Sequence, residues 1–420
     1  MPPRKRASVA LASPTKESTD GAALRFAARD LFGKVMKNHA PRPMGDPKTG
    51  IPLTGALPFQ YLLGLDVLPL RQAMSLVGKP GSLKSQMGWW VVSQFLKYER
   101  AAGIGVYLDV ENKTNDNLVR GILDDDVLFS EMIMRVPVKT VEDLSLAMSE
   151  YATQYDQVVP DQSHPMVFLL DSMGALVSKE EVTALNKTGD VNSVSGYLSA
   201  RRASDLTNHL KTWTLTKLQE RPMALVIINH LKEKMPAGQG GANFAPEKGS
   251  PGGAHKDFLN FATIEMIREK GGNKLRSEAR SKVWMQTLKA SLADTGLKIC
   301  VQMRTRGPDK EKHSRDLILS HMGETEEDYQ RYHVDIDWDT SLVELLTRET
   351  GRVTIERAKL KEICHIGGAG NKLKCSRLGI KEATPKDLGH AIHNDPDLVK
   401  DLQDLLSVSR QPHFEGQALL

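Results

Sequence analysis

Short apolar runs, the first closing on a glycine and the rest on polar side chains, punctuate the first 230 residues. MSLVG ends at Gly78. GIGVYLDVEN (Gly103–Asn112) ends on Asp109 and Glu111. PMVFLLDS (Pro165–Ser172) ends on Asp171, and MALVIINH (Met223–His230) ends on Asn229 and His230. Runs of this kind suit strands buried on both faces. Between them lie stretches with helical spacing, Gln86–Tyr98, Val141–Tyr155 and a helix starting near Tyr197. Strand and helix in alternation predict an α/β fold around a mainly parallel sheet. Two further strands, FATIEMIREK and LKICVQMRTRG, flank a Lys/Arg-rich patch at Lys270–Lys289.

Outside this core the pattern changes. Residues 1–23 are rich in Pro, Ser, Thr and basic side chains, with RKR at Arg4–Arg6, and read as a disordered basic tail. Residues 24–56 read as an N-terminal arm. Leu24, Phe26, Leu31, Phe32 and Met36 would stripe one helix, ended by Pro41 and Pro43. The core is drawn over 57–323. From 324 to 420 an acidic, aromatic segment precedes a basic, helix-like one and two short helices, the first begun by Thr384-Pro385 and the second after Asn394-Asp395-Pro396. This is read as a small C-terminal α/β accessory domain.

The stretch LVGKPGSLKS (Leu76–Ser85) carries the chemistry. A strand, a tight loop and a helix opening on Lys-Ser aim backbone N–H groups and the positive end of the helix dipole at one point, which favours phosphate. Gly78, Lys79, Pro80, Gly81, Ser82, Leu83, Lys84, Ser85 and Gln86 would line the cradle. Lys84 would reach the β/γ-phosphates, and Ser85 would hold Mg²⁺. The usual pattern has Gly just before this Lys, where Leu83 stands. Asp171, closing a later strand, is the carboxylate expected to share the Mg²⁺ ion. Glu111 is a candidate base for activating water. His230 is either a γ-phosphate sensor or simply a strand-end cap.

Two loops leave the same strand ends. Lys232–Lys256 is Gly/Pro-rich and carries Lys248, Lys256 and Phe244, which suits a single nucleic-acid strand or an ordinary surface loop. Lys179–Ser195, containing Lys187, reads as a polar loop ahead of the helix bearing Arg201 and Arg202. Arg304 and Arg306, two apart on a strand, point to one side.

The chain has 420 residues and a net charge of +4, too small to prove a nucleic-acid partner. Three cysteines make no disulfide framework, so a reducing, intracellular setting is expected, and zinc is disfavoured because no CxxC pair exists. No apolar stretch is long enough for a membrane span, and the N-terminus lacks a signal-peptide core.

Taken together, these residues resemble the RecA family of strand-exchange recombinases, most closely its phage (UvsX-type) branch, over roughly Leu63 to Leu319. LGLDVLPLRQAMSLVG resembles the approach to that family's phosphate loop, and the phage branch tolerates a bulky residue before the Lys. DVEN, LLDSMGALVSK, VIINHLKEK, the Gly252-Gly253 pair and QMRTR follow in the family's order. The resemblance implies a RecA-type P-loop NTPase core that binds ATP and Mg²⁺. It implies Glu111 as catalytic base, Asp171 on Mg²⁺, and His230 linking the γ-phosphate to the second DNA loop. Gly252 and Gly253 would close that loop, Arg201 would serve the first, and Arg304 and Arg306 would act across a subunit interface. The expected function is ATP-dependent pairing and strand exchange on single- and double-stranded DNA by a helical homo-oligomer, with DNA-stimulated ATP hydrolysis. Single-strand-binding and loader proteins are candidate partners, and host cytoplasm is the location if the protein is phage-encoded. Two alternatives stay open: a hexameric helicase or motor on the same core, and a recombination mediator that binds ATP without turnover.

Overall fold

The structure, a computed structural model, describes residues 50–98, 103–112, 114, 116–124, 129, 132–188, 196–234, 247–249, 260–269, 278–306, 333–347, 363–364, 366–369 and 372–410. The expected tail, residues 24–49 of the expected arm, and Phe244, Gly252, Gly253 and Lys256 lie outside the described residues.

Strand β1 (Gly50–Pro52), the fully buried helix α1 (Leu57–Leu63) and β2 (Val67–Pro69) lead into β3 (Gln72–Gly78). Then come α2 (Lys84–Leu96), β4 (Ile104–Asp109), α3 (Asp116–Leu123), β5 (Ile133–Pro137), α4 (Val141–Val158) and β6 (Met166–Asp171). Helices α5 (Lys179–Thr188) and α6 (Gly196–Trp213) precede β7 (Met223–His230). A ribbon of β8 (Lys232–Lys234) and β9 (Glu247–Gly249) follows, then β10 (Asn260–Arg268), β11 (Glu278–Ala290), β12 (Lys298–Arg306) and β13 (His333–Asp337). The chain continues through α7 (Trp338–Thr347), a three-stranded sheet of β14 (Ile366–Ala369), β15 (Lys372–Cys375) and β16 (Ile380–Ala383), and helices α8 (Pro385–His393) and α9 (Pro396–Leu405).

The main sheet has nine strands in the order β13-β12-β11-β10-β3-β7-β6-β4-β5. From β10 to β5 every neighbouring pair is parallel, and β11, β12 and β13 extend the sheet antiparallel. The architecture is therefore α/β, with a large, mostly parallel sheet flanked by helices. Strand β6 shows why its run of MVFLL is unbroken. Val167 and Leu169 join the core shared with α1, α2 and α3, while Met166, Phe168 and Leu170 join the one shared with α4 and α6. Each large side chain buried this way contributes roughly 1.5–3 kcal/mol. Helix α2 lies tight against the sheet because Gly88 has no side chain; a Cβ there would come within 3.0 Å of Ile228 and Leu169.

Helix starts follow local chemistry. Thr140 caps α4 in a reciprocal box: Asp143 N donates to Thr140 Oγ1 (3.1 Å), and Thr140 N donates to Asp143 Oδ2 (3.2 Å). Thr384 and Asp395 cap α8 and α9, each followed by Pro at the first helical turn.

Two local expectations change. Lys179–Ser195 is not loop throughout, because α5 covers Lys179–Thr188. Ser178 and Glu181 cap it reciprocally, Glu181 N donating to Ser178 Oγ and Ser178 N to Glu181 Oε2. Lys270–Lys289 is not simply a charged patch, because it contains most of β11. There Val283, Met285 and Thr287 are buried and alternate with Lys282, Trp284 and Gln286.

The expected boundary at 324 does not separate two cores among the described residues, which belong to one compact unit beginning at Pro47. Strand β13 pairs with β12. Trp338 on α7 packs on Trp90 and Phe59, with ring centroids 4.9 and 5.8 Å apart. Gln403 Nε2 donates to Gln60 Oε1 at 2.9 Å.

Candidate nucleotide site

Parallel pairing places the polar strand ends at one edge of the sheet. In register, Gly78 faces His230, and Asp171 faces Asp109 on one side and Ile228 on the other. In open α/β sheets, ligands bind outside these carboxyl ends.

The loop after β3 is built for a close approach. At Gly78 a Cβ would meet Met266 O at 2.4 Å and Ser82 Oγ at 2.8 Å. Gly81 has φ +75°, and Leu83, immediately before α2, has φ +68° and ψ +22°. A left-handed backbone costs an ordinary L-residue about 1–2 kcal/mol, so Leu83 occupies a conformation glycine would take without strain. No side chain caps α2, leaving its first N–H groups facing the loop. Lys84 curls back into this loop. Its Nζ donates to Gly78 O (3.1 Å), Lys79 O (2.9 Å) and Ser82 Oγ (3.3 Å). Burial lowers the Lys84 pKa, while Asp171 and Glu111 pull it back up.

Opposite stands an acidic wall. Burial raises the Asp171 pKa, and the neighbouring charges of Glu111 and Asp109 raise it further. A hydrogen bond from Ser85 and the charge of Lys84 oppose the rise. Glu111 Oε1 accepts from Ser172 Oγ at 2.7 Å and lies 3.2 Å from His230 Nε2. His230 Nδ1 is buried without a hydrogen-bond partner. Leu231 N donates to Gly78 O, so the chain entering the β8–β9 ribbon is tied to the loop after β3.

This donor set fits Mg²⁺. Asp171 and Ser85 are hydrogen-bonded to each other beside Glu111 and Asp109; Arg135 pairs with Asp109, which leaves Lys84 as the cation facing Asp171 and Glu111. Among the described residues no cluster of three or more His, Cys, Asp or Glu would hold a metal alone. Mg²⁺ characteristically takes one or two protein oxygens and fills its remaining positions with water and phosphate.

The other candidates lie elsewhere. Lys187 is exposed near the end of α5. Arg201 pairs with Glu180 (2.9 Å) and Arg202 with the buried Glu181 (3.2 Å), so both are engaged in holding α6 to α5. Lys248 lies in β9, its backbone opposite Glu233. Arg304 and Arg306 lie near the end of β12, three strands from β3. At about 4.8 Å per strand that is roughly 14 Å, too far to complete the site of their own chain. Cys300, Cys364 and Cys375 are buried free thiols, and burial pushes Cys300 and Cys364 up to about 12.

Sequence reasoning missed Arg135. It is the cross-strand partner of Tyr107, and its guanidinium grips Asp109 from the edge strand β5. No motif marks it; its partner is 26 residues away in the chain. Among the described residues no helix is long and apolar enough to cross a membrane. Comparison with known proteins adds no relative: no family model matches the chain, and no curated protein does.

Proposed function

We propose that the protein is an ATP-dependent DNA recombinase that forms filaments on single-stranded DNA, pairs it with a homologous duplex and hydrolyses ATP. The observation that carries this reading is the convergence of Lys84, the Ser85–Asp171 pair and the Glu111–His230 contact on adjoining strand ends. Lys84 and the α2 N-terminus would hold the phosphates. Ser85 and Asp171 would hold Mg²⁺, which when bound neutralises phosphate charge. Glu111 would accept a proton from the attacking water as the bond between the γ-phosphorus and the ADP oxygen breaks. His230 touches Glu111 and directly precedes the β8–β9 ribbon, the stem of the Gly/Pro-rich loop, so occupancy of the site would bias that loop's grip on DNA.

Head-to-tail assembly would bring Arg304 and Arg306 of one copy to the site of the next, and a contact of this type that does not close gives a helical filament. Leu83 in its strained conformation favours one rival, a mediator that binds ATP without hydrolysing it. Electron microscopy of the protein on single-stranded DNA with a slowly hydrolysed ATP analogue, run beside a strand-exchange assay with ATP, tests the proposal. It predicts helical filaments and exchanged strands. Closed rings would indicate the helicase or motor, and filaments without exchange or phosphate release the mediator.

A further inference from the structure

The segment that carries Glu111 is a loop, and a loop holds a reacting group in place only if something fixes it. Here the fixing comes from one buried carboxylate. Asp109, 3% exposed, uses both oxygens. Its Oδ1 accepts from Asn112 N at 2.8 Å and from Tyr107 OH at 3.3 Å; its Oδ2 accepts from Arg135 Nε at 3.0 Å and Nη2 at 2.5 Å. Arg135 then reaches along the loop, Nη2 donating to Asn112 Oδ1 (3.3 Å) and Nη1 to Asp116 Oδ1 (3.1 Å). Tyr107 OH also hydrogen-bonds Thr114 Oγ1. Asn112, next to Glu111, has φ +50°, a left-handed conformation that Asn adopts more readily than most residues. Asn112 is thus held through both its backbone and its side chain, and the planar fork of Arg135 supplies four hydrogen bonds, two to Asp109 and one each to Asn112 and Asp116.

Lysine cannot reproduce this arrangement, because an ammonium is a point charge without a rigid fork. Among the described residues the Arg135 guanidinium hydrogen-bonds Asp109, Asn112 and Asp116, not Lys84, Ser85 or Asp171. It acts on the site through Asp109, which anchors the Glu111 loop and whose charge also bears on Asp171.

We infer that Arg135 is the positioning residue for Glu111, bracing Asp109, Asn112 and Asp116 from the sheet's edge strand so that the carboxylate meets Ser172 and His230. This inference rests on the reading of Glu111 as the base for ATP hydrolysis. The guanidinium takes no proton and touches no substrate; it sets where the base stands.

The test is a double-mutant cycle on the full chain with ATP and single-stranded DNA, measuring turnover and equilibrium ATP binding for wild type, Arg135→Gln, Glu111→Gln and the double variant. Arg135→Gln lowers kcat by about tenfold to a hundredfold, the scale expected for a misplaced reacting group, and leaves the ATP Kd within about threefold. Arg135→Lys falls between, and it carries the same cycle if the Gln variant does not fold. In the Glu111→Gln background the Arg135 change alters residual turnover by less than about twofold, because the group it positions is already gone. Unchanged kcat in Arg135→Gln, or an equal loss in both backgrounds, overturns the inference while leaving ATP hydrolysis standing. A wild-type protein that binds ATP without turnover overturns the reading of Glu111 and this inference with it.

Discussion

The two ends of the central strands treat charge in opposite ways. At the amino ends of β6 and β7, Arg221 makes a fork to Asp156, Nε to Oδ1 at 2.7 Å and Nη2 to Oδ2 at 2.5 Å, and Tyr155 OH donates to His164 O at 2.6 Å. The Asp156 pKa is lowered by its bond to Arg221, so the native state favours its charged form. At the carboxyl ends, burial raises the Asp171 pKa and lowers that of Lys84, so each group's charged form is disfavoured. Leu83 is strained there and His230 Nδ1 lacks a partner. The amino end is satisfied by the protein's own groups; at the carboxyl end Arg135 satisfies Asp109, while Asp171 and Lys84 keep charges that a ligand would stabilise. Perturbed groups gathered at the carboxyl edge of a parallel sheet support the proposed nucleotide site.

The sharpest break in that contrast comes from Glu111→Gln. It should lower phosphate release at least about a hundredfold, the scale of a lost general base, while ATP affinity holds, as read by a phosphate-release assay beside a binding titration. Arg221→Ala acts at the satisfied end. It should lower unfolding stability by about 1–2 kcal/mol, less than for a fully buried pair because Asp156 remains partly in water, with ATP affinity unchanged in the same preparation.

Asp171→Asn should do the reverse and stabilise the nucleotide-free protein by roughly 1 kcal/mol. The sign follows from linkage. With its folded pKa raised, proton binding by Asp171 favours the native state fully below the ordinary Asp range, and that advantage is lost as pH rises through the folded value. The gain from Asn should thus be present at neutral pH and vanish in acid, as thermal melts across pH would read. The smallest effect is at Leu83. Because the position is left-handed, Leu83→Gly should be more stable than Leu83→Ala by about 0.5–1 kcal/mol, the reverse of the order inside a helix.

Much of this contrast was legible in the sequence, and what was hidden had a physical reason. MVFLLD and MALVIINH read as strands because both faces are buried and no polar residue interrupts them until the site. Thr384-Pro385 and Asp395-Pro396 announced α8 and α9 through local capping. Strand β11 was masked by the charges on its outer face, although Val283, Met285 and Thr287 alternate beneath them. The helix at Lys179 was masked by polar composition, although Ser178 and Glu181 stand at capping-box spacing. Glu111 and Asp171 stood out by position at or just after strand ends and Lys84 by its place at a helix start after a Gly-containing loop; Arg135 did not, because only the pairing of β4 with β5 brings it to Asp109.

The most direct test of the central claim is an equilibrium titration of ATP against the wild-type protein and Lys84→Ala, with Mg²⁺ present and folding checked by thermal melt. The account predicts saturable binding by the wild type and at least about a hundredfold weaker binding by the variant, the loss expected when a buried charge-assisted contact to phosphate is removed. Equal affinity in the two proteins would contradict it.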